Sequence, residues 1–312
     1  MNDSIIHTLT FTIYMEIGPH KSTFFTVVFL LYLASVVVNV SLMLLLYLDV
    51  SLHKPMYIFL FCLLLNGLIG STAVWPYVMV ILLTNLSIIS YEGCFVQFFL
   101  LGSYGSCNFT ILTAMAYDRL VSIFKPLQYQ TIMTPQRVKL LLFLASFIPT
   151  TLLIGQIIQI SQIPVCTYNL HRLFCEHFSI SSLTCGDTLQ IKRSMLYNIC
   201  GSAIIVVFPI FLILVSYMKI ITLMLKCSKC ARQKILDTCL PHVMVFVIFT
   251  LSSVFPVIYT RLSSGLLMQA HIFMAIIYIL VPPLLHPIIY GIKNQEIRHS
   301  FSKMWKRKVL FI

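Results

Sequence analysis

Within the stretch MAYDRL (115–120), Asp118 and Arg119 put a carboxylate beside a guanidinium at the end of a long apolar run. The chain has 312 residues, 59% of them hydrophobic and 10% charged. Such a pair makes and breaks no covalent bond. Either the arginine snorkels to water from a helix end, or the pair holds a charge at membrane depth, where ionisable groups are rare and mark function. The other reactive side chains are ten cysteines. Cys227 and Cys230 form a lone CxxC, which lacks the second ligand pair of a structural zinc site and reads as two reduced bystander thiols. The apolar runs contain neither HExxH nor a pair of acids, so nothing converges as a catalytic centre. The chain reads as no enzyme and calls for no cofactor or metal.

The elements that position these residues follow from the apolar excess. A soluble domain is about a quarter charged and under half apolar; here Phe (23) and Tyr (15) abound and mean hydropathy is +0.95. Apolar runs at about 23–48, 56–83, 95–123, 140–162, 195–225, 239–262 and 270–292 reach the roughly 20 residues that cross a bilayer as a helix. Asn66 and Gly67 interrupt the second. Lipid tolerates no unpaired backbone group, so each span is a helix or part of a closed barrel. Barrel strands alternate apolar and polar over about ten residues, whereas these runs are continuously apolar. The fold class is therefore an all-α membrane protein, a seven-transmembrane-helix bundle. Residues 1–22 carry Asp3 and Glu16 and lack the apolar core of a signal peptide, so the first span is expected to be its own uncleaved anchor.

Seven spans place the termini on opposite faces. The face with the N-terminal tail, 84–94, 163–194 and 263–269 carries Lys21, Arg172, Lys192, Arg193 and Arg261 against Asp3, Glu16, Glu92, Glu176 and Asp187. These cancel, and the whole net charge of +12 lies on the other face, which the positive-inside rule makes cytoplasmic. The basic excess is thus accounted for by topology, and no nucleic acid is implied. Expected boundaries are an extracellular tail over 1–22, the membrane domain over 23–292 and a cytoplasmic tail over 293–312, in the plasma membrane. In KNQEIRHSFSKMWKRK, Ile297, Phe301, Met304 and Trp305 share one helical face, with Lys303, Lys306, Arg307 and Lys308 around the other. That pattern predicts a short amphipathic helix in the membrane surface, attracted to anionic lipid. Cys94, Cys166, Cys175 and Cys185 fall on the outer face, where disulfides persist; three connectivities are open. Asn2 and Asn85 head outer-face glycosylation sequons, while the sequons at Asn39 and Asn108 lie inside spans.

Five stretches in order carry a resemblance: LHKPMYIFL (52–60), MAYDRL (115–120), SYMKI (216–220), DTCLPH (237–242) and PPLLHPIIYG (282–291). Together they resemble the odorant (olfactory) receptors, a branch of the class A G-protein-coupled receptors, from about residue 30 to 300. NGLIG at 66–70 looks more like the fish-type branch. The resemblance implies a receptor that binds a small organic odorant and activates a heterotrimeric G protein, of the olfactory stimulatory kind. It implies that Arg119 rests against Asp118 when inactive and faces the G protein, alongside Tyr217 and Tyr290, when active. It pairs Cys94 with Cys175 and Cys166 with Cys185. For the ligand it implies Gly102, Gly105, Ser106 and Phe109 from the third helix, Ser202 and Val206 from the fifth, and Phe255 and Tyr259 from the sixth. Small residues also let helices pack closely, and Ser106 is equally placed to back-bond to its own helix. His242 is implied to have a conformational role.

Three departures stand out: Leu120 for the family's usual Tyr, His286 for the Asn before Pro287, and Gly67 for the acid of the second helix. Without that carboxylate, sodium is not expected to bind. The outer halves of the helices hold no Asp or Glu, and Leu101 stands where amine receptors place an acid. A largely apolar cleft is therefore expected, with nothing in the helices to pair a cationic amine. The alternative class A readings, a receptor for a lipid or a peptide, fit the double-bridged loop and DTCLPH less well. A transporter built from repeated halves is disfavoured because seven spans do not halve and no internal repeat is visible.

Overall fold

A computed structural model describes residues 8–262 and 268–309. The long helices are α1 (Lys21–Leu48), α2 (Pro55–Thr84), α3 (Tyr91–Phe124), α4 (Pro135–Ser161), α5 (Thr188–Met224), α6 (Lys229–Leu262), α7 (Met268–Ile279 continued by Val281–Lys293) and α8 (Gln295–Val309). Seven are long and apolar enough to cross a membrane. Helix starts carry local signals: Ser90 Oγ accepts from Gly93 N–H at 3.1 Å to cap α3, and Pro55 and Pro135 open α2 and α4. Such caps satisfy amide groups that the first turn cannot pair. In α5, one turn at Ala203–Val207 is π-helical.

Neighbours pack in a ring that α7 closes against α1, with α3 touching α2, α4, α5 and α6. The outward face of α1 shows Leu30, Leu33, Val37 and Leu44, while Val28, Leu42 and Leu45 turn inward. Asn66 and Gly67 do not interrupt α2, because the polar group is satisfied inside the bundle. Asn66 Nδ2 donates to Tyr104 C=O (3.0 Å) and Asn108 Oδ1 (3.1 Å). A Cβ on Gly67 would stand 3.3 Å from Pro283 of α7.

A proline inside a helix leaves the carbonyl four residues earlier without its donor. Three such carbonyls are taken by neighbouring helices. Pro149 frees Ala145 C=O, which accepts from Thr110 Oγ1 at 2.6 Å; Pro282 frees Tyr278 C=O, which accepts from Tyr104 Oη at 3.2 Å; Pro287 frees Pro283 C=O, which accepts from Asn39 Nδ2 at 2.7 Å.

Beyond the helical reading, a three-stranded sheet sits at the end of the bundle that carries the N-terminus, the end expected to be the outer one. β1 (Thr8–Phe11) runs antiparallel to β2 (Ile88–Ser90) and parallel to β3 (Asn169–Leu170), with Thr10 opposite both Ile88 and Asn169. The segment after it is buried at Ile13, Tyr14 and Ile17, and Tyr14 Oη donates to Leu173 C=O at 2.6 Å. Residues 8–17 are thus folded onto the outer loops. At the other end, Asn294 Oδ1 accepts from the N–H groups of Glu296 and Ile297 and starts α8. Lys54 pairs with Glu296 at 2.7 Å, and Ser300 Oγ donates to Asp49. Ile297 is buried in this dock, whereas Phe301 is exposed; the side chains of Trp305, Lys306, Arg307 and Lys308 lie outside the described residues.

Tyr104→Phe keeps the ring but removes the donor to the freed Tyr278 carbonyl. It should cost about 1–3 kcal/mol, because the buried carbonyl is left unpaired, and lower the melting temperature of the purified receptor, while Tyr47→Phe, at an exposed ring, leaves it unchanged.

Candidate functional site

The inner end of α3 holds its acid more deeply than a helix-end ion pair would. The Asp118 side chain is fully buried and that of Arg119 is 14% exposed. Arg119 donates from Nε (3.2 Å) and Nη2 (2.7 Å) to Oδ2, and Tyr129 Oη donates to Oδ1 at 2.6 Å. Tyr129 lies in the loop after α3, eleven residues along. Burial first, and then the Asp118 carboxylate, push its phenol well above the ordinary range. The Arg119 guanidinium lies within electrostatic reach of Tyr217 and Tyr290. The Tyr290 hydroxyl is buried with no hydrogen-bond partner among the described residues.

His242 of α6 joins this end to the core. Nε2 is 3.0 Å from Leu112 C=O of α3, and Nδ1 is 2.6 Å from Tyr217 Oη of α5. A carbonyl only accepts, so Nε2 carries the proton, and in the neutral ring Nδ1 accepts from the tyrosine. One ring therefore joins three helices.

The outer half is filled mainly by rings. Tyr104 meets Tyr278 and Phe249 at centroid distances of 5.7 and 5.9 Å, and Phe109 meets Phe249 at 4.9 Å. Among the residues implied for ligand, Phe109 is therefore in this interior cluster. Gly105 faces it too, since a Cβ there would lie 2.4 Å from Tyr278 Oη. Gly102 faces α4, where a Cβ would lie 2.8 Å from Leu153. Ser106 Oγ donates to Gly102 C=O of its own helix at 2.7 Å. Val206 is half-buried in the π-helical turn, Ser202 and Phe255 are exposed, and the Tyr259 side chain lies outside the described residues. An apolar groove lined by Val40, Met43, Leu44, Tyr47 and Phe61 opens elsewhere, between α1 and α2.

The outer loop between α4 and α5 is pinned from two sides. Cys94 is bonded to Cys175, and Cys166 to Cys185. Cys175 N–H donates to Gln97 Oε1 at 2.7 Å, and Gln97 Nε2 to Ala73 C=O at 3.0 Å, so the loop is tied through α3 to α2. His177 lies over Phe98, centroids 6.1 Å apart, and within 3.0 Å of Asn198 Nδ2. Burial pushes its imidazole down to about 4. Burial raises the Glu176 carboxyl, and nearby Arg172 opposes that rise. Sequence counting treated both residues as loop positions, and only the bridge at Cys175 hinted that they turn inward. Asn85 caps α2 in the left-handed region (φ 58°), and its Oδ1 accepts from Lys21 at 2.6 Å; Asn2 lies outside the described residues. Among the described residues, no three His, Cys, Asp or Glu side chains converge as a metal site.

Seven spans closed around α3, with the acid–arginine pair at its inner end and a bridged outer loop, define the bundle of the G-protein-coupled receptors. The sequence model described as olfactory receptor matches residues 28–308. Human Olfactory receptor 10A6 is 31% identical over 304 residues, covering 97% of this chain and 94% of its own length. Human Olfactory receptor 52H1 is 33% identical over 280 residues, covering 89% and 88%. The chain belongs to the olfactory receptor family, which is a family of receptors and not of enzymes.

Cys94→Ser or Cys175→Ser should remove most surface expression, since losing a native disulfide costs about 2–5 kcal/mol. Cys227→Ser, at a half-buried free thiol, should leave expression at the wild-type level in the same flow-cytometry assay.

Proposed function

We propose that this receptor takes a small organic odorant in the outer half of the bundle and signals through a heterotrimeric G protein of the olfactory stimulatory kind at the inner face. Its N-terminus is extracellular and its C-terminus cytoplasmic, as the one-sided charge supports; α8 lies against the inner leaflet, and NGLIG favours the fish-type branch. The observation that carries the reading is the buried lock at Asp118, whose two oxygens are held by Arg119 and Tyr129. While it stands, Arg119 is turned to its neighbour and not to a partner protein. Ligand bound preferentially to a state with α6 displaced outward shifts the population toward that state. That movement separates His242 from Leu112 or Tyr217 and brings Arg119, Tyr217 and Tyr290 to the G protein.

The lock's burial changes the energetics expected of a helix-end pair. An exposed pair is worth about 0–1 kcal/mol, but stripping one partner from a buried pair costs about 3–5 kcal/mol. Arg119→Ala should therefore abolish signalling and also lower stability. Tyr129→Phe is the cleaner variant, because it removes one hydrogen bond to a charged group, worth about 1.5–3 kcal/mol. At the lower figure the inactive-to-active ratio falls about tenfold. Tyr129→Phe and Asp118→Asn should both raise ligand-independent cAMP at matched surface expression. Basal cAMP at the wild-type level in both would refute the lock.

The orientation has its own test. An N-terminal epitope tag should label intact cells and a C-terminal tag only permeabilised ones; the reverse pattern would invert the scheme.

A further inference from the structure

Cys227 and Cys230 are reactive side chains that the receptor reading leaves without a role. α5 ends at Met224 and α6 starts at Lys229, so residues 225–228 alone join them. Backbone bonds fix this turn. Lys226 N–H donates to Leu223 C=O at 3.0 Å, Cys227 N–H to Met224 C=O at 3.2 Å, and Arg232 N–H to Ser228 C=O at 2.9 Å. Both thiols are free; Cys230 is exposed and Cys227 partly so. Two kinds of surface meet here. Residues 226–236 hold Lys226, Lys229, Arg232 and Lys234 and no acid, and the side chains of Lys226, Lys229 and Arg232 are exposed. Along α5, exposed Met218, Ile221 and Leu225 repeat at the spacing of one helical face. Leu225 is 71% exposed although Lys226 follows it directly. The apolar strip thus runs up to the turn where the cations begin.

We propose that Cys227 and Cys230 are S-acylation sites, which take long-chain fatty acyl groups from a fatty acyl-coenzyme A thioester and anchor the α5–α6 turn to the inner leaflet. The proposal rests on the orientation proposed above, which puts the turn in a compartment that keeps thiols reduced. Cysteines beside a membrane span are the residues that carry such reversible chains. Cysteine Sγ attacks the thioester carbonyl carbon, a new S–C bond forms, and the C–S bond to coenzyme A breaks. Coenzyme A leaves as its thiol with the proton the cysteine gave up, and nothing is oxidised or reduced. The cations serve twice, drawing the anionic donor to the turn and the turn to anionic headgroups. One chain holds a protein to a membrane only marginally, whereas two chains, or one chain with a basic patch, hold it stably; this turn has the means for both. Met218, Ile221 and Leu225 give the chains an apolar track along α5. Cys230 lies in the first turn of α6, the helix whose displacement carries the proposed signal, so a chain there ties the moving helix to the leaflet.

The test uses the full-length receptor in cells fed an alkyne-bearing palmitate analogue. The wild type should take up label that neutral hydroxylamine removes, as it cleaves a thioester. Cys227→Ser and Cys230→Ser should each lose part of the label, and the double variant all of it. Cys200→Ser, at an exposed thiol in the outer half of α5, should keep the wild-type level. Surface expression should not change, because the chains are added to a folded receptor. Mass spectrometry of the wild-type chymotryptic peptide 226–236 locates the acyl group without any substitution, so the test survives a variant that misfolds. The epitope tags are read on the same cells. No label with the tags in the proposed orientation overturns the acylation alone; no label with the tags reversed overturns orientation and acylation together. Label that persists in the double variant, or a wild-type peptide 226–236 without an acyl group, also overturns the proposal.

Discussion

The bilayer offers no water to a backbone carbonyl, and this chain places prolines inside the helices that must cross it. Each proline removes one donor from a helix in a medium where an unpaired polar group costs several kcal/mol. The carbonyls of Ala145, Tyr278 and Pro283 would be such groups, and each is met by a side chain from another helix: Thr110, Tyr104 and Asn39. Two of the three donors belong to α3, which explains why that helix is the axis of the bundle and carries polar residues without losing its place in the membrane. The donors need close approach, and glycine supplies it. A Cβ on Gly70 would lie 2.3 Å from the Tyr104 ring, so Tyr104 reaches α7 only because α2 is bare at that point. Proline, donor and glycine act as one device on three different helices.

The two ends of the bundle are held by different kinds of bond. Outside, two disulfides, a small sheet and the buried Tyr14 fix the loops to the helix ends. Inside, the helices are joined by hydrogen bonds that exchange partners without covalent change: Tyr129 to Asp118, Tyr217 to His242, and His242 to Leu112. Buried polar atoms at His286 Nε2, Asn108 Nδ2 and Tyr290 Oη have no partner among the described residues. Such groups favour any rearrangement that pairs them. A rigid outer end and a polar, exchangeable inner end suit a molecule that recognises at one face and rearranges at the other.

The seven spans were legible because each is a long apolar run, broken in the second only at Asn66 and Gly67, and the lack of alternation separates helix from barrel. The Asp118–Arg119 pair was legible because a charge after such a run is conspicuous. What escaped reading depended on distant pairing. Thr8–Phe11 is too short to announce a strand, and it is one only because Ile88–Ser90 and Asn169–Leu170 flank it. Asn66 read as a break because its partners, Tyr104 and Asn108, lie on another helix. Tyr129 looked like any loop tyrosine until the fold brought it to Asp118. Gly102 and Gly105 fit one helical stripe by spacing, yet 300° of rotation across three residues is enough for one to meet α4 and the other α7.

The tautomer of His242 shows how the static contacts restrict the moving part. With its proton committed to the Leu112 carbonyl, the neutral ring has only a lone pair left for Tyr217, which donates to it. The ring sits on α6 and its partners on α3 and α5, so α6 cannot swing away as a rigid body and keep both bonds. The tyrosine released by such a swing is Tyr217, which already lies within electrostatic reach of Arg119. In the proposed opening of α6, breaking the histidine contact would free a hydroxyl beside the guanidinium and so couple that opening to a re-pairing of Arg119.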